Sequence, residues 1–230
     1  MKRLVVFTGA GISADSGIAT FRDSNGLWAN YRIEDVCTPE ALVRNRKLVI
    51  DFYNERRKEV LSKKPNAGHL ALKELENHFD VRVITQNIDD LHERAGSSHV
   101  LHLHGEITKL RSSNDDLATV PLEGWEQPLD MRHPDGSLLR PYVVFFGEAV
   151  PYFEKAIEIA QTADIFVVVG TSLAVYPAAS LIYNIRPNVP VYLVDPGQPA
   201  LANVGNKVTH IKEKSATGLP KLVNILINNQ

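Results

Sequence analysis

Gly9-Ala-Gly-Ile-Ser-Ala-Asp-Ser-Gly-Ile-Ala-Thr-Phe-Arg-Asp23 directly follows the apolar run Leu4-Val-Val-Phe7, and this junction decides the fold. The apolar run reads as a buried strand. A strand, then Gly9-Ala10-Gly11, then a helix opened by Ile12, Ser13 and Ala14 is the order of a dinucleotide-binding turn. Small residues there let backbone N–H groups and a helix N-terminus approach a pyrophosphate. Just past the turn, Thr20-Phe21-Arg22-Asp23 places an aromatic ring and a guanidinium where they can cover a bound molecule and pair with its charge.

Outward from this junction, apolar runs alternate with helical patterns. Strands are predicted over Leu4–Thr8, Val81–Thr85, Val100–Leu103, Val143–Phe146, Ile165–Val169 and Val191–Val194, with helices over Ala67–His78 and Tyr152–Thr162. Such alternation implies an α/β fold with a doubly wound, Rossmann-like parallel sheet and right-handed crossovers. Two intervals interrupt it. Glu34–Pro65 is rich in helix formers, and Lys109–Pro141 is rich in polar residues and turn formers.

Three further segments place polar residues at predicted strand ends, where open α/β sheets bind ligands. Thr85-Gln-Asn-Ile-Asp-Asp-Leu-His92 offers Gln86, Asn87, Ile88 and Asp89. Leu101-His-Leu-His-Gly-Glu106 offers two histidines, and Gly170-Thr-Ser172 offers backbone donors and hydroxyls. A histidine suits a general base because its ordinary pKa lies near neutrality. His102 and His104 are two residues apart and share a strand face, so spacing does not choose between them.

Taken in order, these four segments resemble the sirtuins, the NAD-consuming protein deacylases, and the resemblance spans most of the chain. It implies NAD as a consumed co-substrate, with Gly9, Ala10, Gly11, Ile12 and Ser13 near the phosphates and Phe21 and Arg22 on the loop that closes over them. Gln86, Asn87, Ile88 and Asp89 would hold the nicotinamide and its ribose, Gly170, Thr171 and Ser172 a ribose or phosphate, and Asp195 and Ala216 the adenosine half. Asp195 stands where many relatives have Asn. The resemblance names His104, before Gly105, as the catalytic base, with Asn87 and Asp89 assisting cleavage of the nicotinamide bond. The other histidines, His69, His78, His99, His133 and His210, are expected to be surface or packing residues, and His92 to orient its helix. Residues 1–33, 66–108 and 142–230 would form the NAD-binding domain, and residues 34–65 and 109–141 a small domain across a cleft. Backbone at Val144–Glu148 and Ser172–Tyr176 would sandwich an acylated peptide as an added strand.

Two features bear on subgroup. Tyr53 and Arg56, in Phe52-Tyr-Asn-Glu-Arg-Arg57, are three apart and share a helix face. They resemble the pair with which some sirtuins bind the distal carboxylate of succinyl, malonyl or glutaryl groups. Read without the resemblance, Arg56 is one more solvated charge in Glu55-Arg-Arg-Lys-Glu59. Cys37, in Val36-Cys-Thr-Pro39, stands where that subgroup usually has Ala, which would narrow the acyl pocket without closing it.

The second feature is the absence of the usual zinc module. Most sirtuins hold it with two Cys-x-x-Cys pairs after the histidine motif, and here Cys37 is the only cysteine. His133, Asp115, Asp116 and Asp135 are metal-capable by type, but a polar surface loop is the expectation, with no zinc. Leu117, Val120, Leu122, Trp125 and Leu129 are expected to hold this part together.

A length of 230 residues suits one substantial core, and 44% apolar with 23% charged residues is ordinary for a globular protein. A net charge of −2 gives no electrostatic reason to propose nucleic acid as the main ligand. No apolar run approaches membrane-spanning length, and the first strand begins close to residue 1. A cytoplasmic, monomeric enzyme is expected, with acylated lysine in protein as its partner. Three alternatives compete: an NAD-dependent mono-ADP-ribosyltransferase, a hydride-transferring dehydrogenase, and a non-catalytic NAD- or peptide-binding module. The dehydrogenase needs an acidic ribose anchor at the end of a second strand. Glu34 and Asp35 lie near the right distance but follow no strand pattern.

Overall fold

The computed structural model describes residues 1–20, 30–199 and 204–228. Its strands are β1 (Arg3–Thr8), β2 (Asp80–Thr85), β3 (Val100–His102), β4 (Gly105–Ser112), β5 (Thr119–Pro121), β6 (Leu139–Val143), β7 (Ile165–Val169), β8 (Val191–Val194) and β9 (Val208–Ile211). Its helices are α1 (Gly11–Ala14), α2 (Ile33–Val36), α3 (Pro39–Arg44), α4 (Arg46–Ser62), α5 (Ala67–Leu75), α6 (Leu91–Arg94), α7 (Phe153–Gln161) and α8 (Ser215–Asn228).

The central strands are buried on both faces, as a parallel sheet covered by helices requires. Successive residues of β1 point to opposite sides. Val5 and Phe7 pack with Phe166, Val168 and the α7 residues Ala156 and Ala160. Leu4 and Val6 pack with Val167 and Val169, with Leu72 and Leu75 of α5, and with Leu222 and Leu226 of α8. Full burial of each such side chain contributes about 1.5–3 kcal/mol.

All pairings in this sheet are parallel, and the strand order is β3-β2-β1-β7-β8-β9. The order reverses between β1 and β7. The crevice outside their carboxyl ends is where doubly wound sheets bind ligands, and Gly9–Gly11 and Gly170 lie at those ends.

One predicted strand is misplaced. Val143–Phe146 is not a member of the parallel sheet. The strand there is β6, which ends at Val143 and pairs antiparallel with β4. Beyond it, the N–H of Val144 goes to the His104 carbonyl and that of Phe146 to the Cys37 carbonyl, so no ladder continues. The sixth parallel strand is β9, whose largely exposed edge position gives little hydrophobic signal.

A three-stranded antiparallel sheet, β5-β4-β6, stands apart from the parallel one. Beside it, α3 and α4 enclose a third cluster that includes Val36, Cys37, Phe52, Tyr53, Ile107, Val143 and Phe145. The N-terminus of α3 is capped by the Thr38 side chain, which accepts from Ala41 N–H, and that of α4 by Asn45, which accepts from Leu48 N–H.

The expected apolar support of the cysteine-free segment is not found. Leu117 and Leu129 are exposed, and Val120, Leu122 and Trp125 are only half-buried. A polar network from α4 holds it instead. Arg57 is fully buried, and its guanidinium donates to the carbonyls of Ile107 (2.6 Å) and Trp125 (2.7 Å) and to Asn54 Oδ1 (2.9 Å). The Asn54 amide donates to Gln127 O and its Oδ1 accepts from Gln127 N–H, while the Gln127 amide donates to Leu139 O. A short, irregular segment has backbone groups that must be satisfied. Long side chains of a preformed helix supply the partners.

The four metal-capable residues there are separately engaged. Asp116 pairs with Arg111, Asp115 accepts from Leu117 N–H, and Asp135 accepts from Ser112 Oγ and lies 3.1 Å from His133 Nδ1. Among the described residues no three His, Cys, Asp or Glu side chains are grouped to hold a metal. No described helix is long and apolar enough to cross a membrane.

Candidate active site

The β1 turn and the end of β7 cross with almost no space between them. Gly11 N–H donates to Gly170 O at 2.8 Å, and a Cβ on Gly11 would lie 2.6 Å from the Gly170 Cα. Gly170 itself has φ +57°. These glycines therefore let two chain segments meet at the switch point. Gly9, Gly11, Ile12 and Ser13 all donate their N–H within the fold, to Val169, Gly170, Gly9 and Ala10 carbonyls respectively. That pattern revises the simplest reading of the turn, in which each of these N–H groups faces a phosphate.

From the end of β2, Gln86, Asn87 and Asp89 run back over this turn. The Asn87 amide donates to Gly9 O (3.2 Å) and Ser13 Oγ (3.1 Å), and Ser13 Oγ donates to Asp89 Oδ2 (2.9 Å). Gln86 Nε2 reaches Thr171 Oγ1 at 3.0 Å, joining the β2 and β7 ends. Asn87 and Asp89 are buried, and burial raises the Asp89 pKa against the bonds from Ser13 and Leu91 N–H. The Asn87 amide nitrogen is thus engaged twice within the fold, which leaves its Oδ1 as the group able to accept from a bound carboxamide N–H donor.

The two histidines have different surroundings. His102 is locked, with Nδ1 donating to Asn87 O (2.8 Å) and Nε2 contacting Glu93 Oε1 (2.8 Å). Burial opposes its charge, but the Glu93 carboxylate outweighs that, and its pKa is raised. His104 donates Nδ1–H to Gln86 O (3.0 Å), which fixes the tautomer and makes Nε2 the acceptor nitrogen of the ring. Burial lowers its pKa, so it is neutral at pH 7 and able to take a proton. Gly105 follows at φ +87°, where a Cβ would lie 2.1 Å from Tyr142 O. Only glycine permits this close turn from the parallel sheet into β4. Geometry thus separates two residues that alternation could not.

His92 is wholly buried and bonds Thr8 Oγ1 at 3.1 Å, tying α6 to β1. Thr8, Thr85 and Glu93 complete the support of this site, and sequence reasoning missed all three. Thr8 and Thr85 close their strands at paired register positions, a signal visible only once the pairing is known.

The remaining site candidates are placed as follows. Ile88 is half-buried, and its carbonyl accepts from Ile107 N–H. Thr171 is buried and Ser172 half-buried beyond β7. Asp195, at the end of β8, turns its carboxylate to Gly197 N–H, and the Ala216 N–H at the start of α8 goes to Asp15 Oδ2. Phe21 and Arg22 lie outside the described residues. His69 is buried beside His92, with ring centroids 5.0 Å apart.

Tyr53 and Arg56 lie on α4, both buried. The Tyr53 ring stacks on Phe145 at 5.6 Å, and its hydroxyl donates to Cys37 Sγ at 3.2 Å. Arg56 is not a solvated charge. Its NH1 donates to Glu59 Oε2 (2.8 Å) and its NH2 to the Ala19 carbonyl (3.0 Å). Phe145 follows Val144, which bonds the His104 backbone, so Tyr53 borders the histidine turn.

Comparison with known protein families matches residues 9–177 to the Sir2 family. The chain belongs to that family. It is 50% identical over 232 residues to an NAD-dependent protein deacylase of Bacteroides thetaiotaomicron, covering 99% of both chains. Among solved structures it resembles a Sir2 homologue mutant in complex with ADP-ribose, with a TM-score of 0.89, 36% identity, and coverage of 99% and 93% of the two chains. It also resembles a Sir2 homologue–NAD complex, with a TM-score of 0.87, 36% identity, and coverage of 99% and 90%.

Proposed function

We propose that this Sir2-family protein is an NAD-dependent protein-lysine deacylase that accepts acidic acyl groups, succinyl and malonyl, as well as acetyl. The observation that carries the reaction is the acceptor ring nitrogen of His104, held neutral beside the Asn87–Ser13–Asp89 network. NAD supplies an activated glycosidic bond, and nicotinamide and O-acyl-ADP-ribose are the products. Asn87 Oδ1 accepts from the carboxamide and orients it. The buried Asp89 carboxylate favours positive charge developing beside it as nicotinamide leaves. The acyl-lysine carbonyl oxygen would bond to the anomeric carbon as nicotinamide leaves; His104 Nε2 would then remove the proton of a ribose hydroxyl as that oxygen attacks the acyl carbon, and water would complete release of the lysine amine and O-acyl-ADP-ribose.

The domain reading is part of the proposal: residues 34–65 and 109–141 form the wall that faces the NAD-binding part. Exposed Phe146, Val175 and Tyr176 mark the two segments between which the peptide lies. The N–H groups of Val144, Phe145 and Phe146 are engaged within the protein, as is the Phe145 carbonyl, so an added peptide strand would bond there to the Val144 or Phe146 carbonyl.

For acyl choice, Tyr53 and Arg56 are the residues that meet a distal carboxylate. Tyr53 exchanges a weak sulfur acceptor for a charged oxygen, and Arg56 retains three N–H groups beyond its two bonds. A charge-assisted hydrogen bond is worth about 1.5–3 kcal/mol, or roughly ten- to a hundredfold in catalytic efficiency. Nicotinamide release should depend on acyl-peptide, and Arg56→Met should lose far more succinyl than acetyl activity. Equal losses would mean that Arg56 supports the fold. Nicotinamide release without acyl-peptide, with label transferred to protein, would favour the ADP-ribosyltransferase.

A further inference from the structure

The Arg56 guanidinium already carries a carboxylate of the chain's own. Glu59 lies one turn along α4, at 2.8 Å from Arg56 NH1, and the two side chains are 23% and 10% exposed. The other charges of this stretch are turned elsewhere. Arg57 is buried on the Ile107 and Trp125 carbonyls, and Glu55 and Lys58 are exposed. Arg140, which lies over the Phe145 ring, pairs with Glu148 at 2.6 Å. Among the described residues the cations beside Tyr53 are therefore paired: Arg56 with Glu59, and Arg140 and Arg111 with Glu148, Arg111 also meeting Asp116.

Resting on the acidic-acyl reading above, we propose that Glu59 is a specificity-determining residue, which restrains the preference for acidic acyl groups by neutralising Arg56. A succinyl carboxylate entering beside an Arg56–Glu59 pair leaves that part of the pocket with one net negative charge. Beside Arg56 alone it leaves none. Glu59 acts through Arg56 and touches no reacting atom, so its effect falls on binding of charged acyl groups and not on the chemical step. The Ala19 carbonyl holds the other arm of the guanidinium, so the fork keeps its direction when the Glu59 charge is removed.

Glu59→Gln tests this, because the amide oxygen still accepts from Arg56 and only the charge is lost. Succinyl-lysine and butyryl-lysine peptides of one sequence have acyl chains of equal length and differ in the terminal carboxylate. The succinyl-to-butyryl ratio of kcat/KM should rise about three- to tenfold in the variant, the range expected of one like charge near a partly exposed site. The change should lie in the succinyl KM, with kcat little affected, and should shrink at high salt. A ratio that stays constant or falls in a variant with an unchanged melting temperature would overturn the inference, the fall showing that Glu59 aims Arg56. Absence of succinyl turnover in both proteins would refute the acidic-acyl reading itself, and this inference with it.

Discussion

Replacing Arg57 with Met removes the hub that joins α4 to the cysteine-free segment while keeping most of the side-chain volume. Three bonds are lost, to Ile107 O, Asn54 Oδ1 and Trp125 O. Ile107 O loses its side-chain donor and half-buried Trp125 O can turn to water, while Asn54 Oδ1 keeps the Gln127 N–H. Each buried acceptor left without a partner costs about 1–3 kcal/mol. Against this, the charge itself is costly to bury: desolvation pushes the Arg57 pKa down to about 10, and Met recovers that part of the cost. The balance is a loss of about 1–2 kcal/mol, which for a chain of this length lowers the melting temperature by about 2–8 °C. Urea unfolding of both proteins, supported by calorimetry, measures it. A variant as stable as the wild type would refute the view that this network holds the segment in place of thiolate-bound zinc.

Chelators should leave activity and melting temperature unchanged, and elemental analysis should find well under one zinc per chain; stoichiometric zinc with chelator-induced unfolding would contradict this. Stability should also fall as the solution is acidified from about pH 6.5 towards pH 4. Burial holds the folded-state pKa of His69 at about 4 against 6.5 unfolded, so its contribution is complete above 6.5 and about 3 kcal/mol is lost on the way down. His92 is lowered by the same cause and acts in the same direction. His102, whose pKa is raised, opposes them, because its contribution is present below 6.5 and lost as pH rises through the folded value. Urea midpoints that stay flat across this window would show that His69 and His92 are not held neutral.

The parallel sheet was legible because its strands are covered on both faces, and continuous apolar runs such as Ile165–Val169 record that directly. The strand-end motifs were legible for a related reason: Gln86, Asn87, Asp89 and Gly170 follow such runs immediately, where a parallel sheet must place its ligands. Edges and small sheets leave weaker traces. Two of the four β9 residues are exposed, and β6 is too short to reveal which sheet it joins. The cysteine-free segment misled because apolar residues usually mean a core, whereas Leu117 and Leu129 are exposed and the support comes from Arg57 and Asn54 on a distant helix. Arg57 stands in a run of five charged residues, where nothing marks it as buried. Its partners are backbone carbonyls, which have no signature in sequence. Between His102 and His104 the resemblance, and not the spacing, named His104; which carbonyl each ring meets, and that Glu93 engages His102, are written only in the fold.

The central claim is that His104 takes the proton that drives acyl transfer. Single-turnover formation of O-acyl-ADP-ribose, with NAD and acyl-peptide both saturating, tests it in wild type and His104→Ala. The account predicts a rate about 100- to 10,000-fold lower in the variant, with NAD affinity and melting temperature nearly unchanged. In the wild type it predicts a rate that rises with pH through a value below 6.5 and is flat from pH 7 to 8, because burial lowers the His104 pKa. An undiminished rate in a folded His104→Ala protein would contradict it.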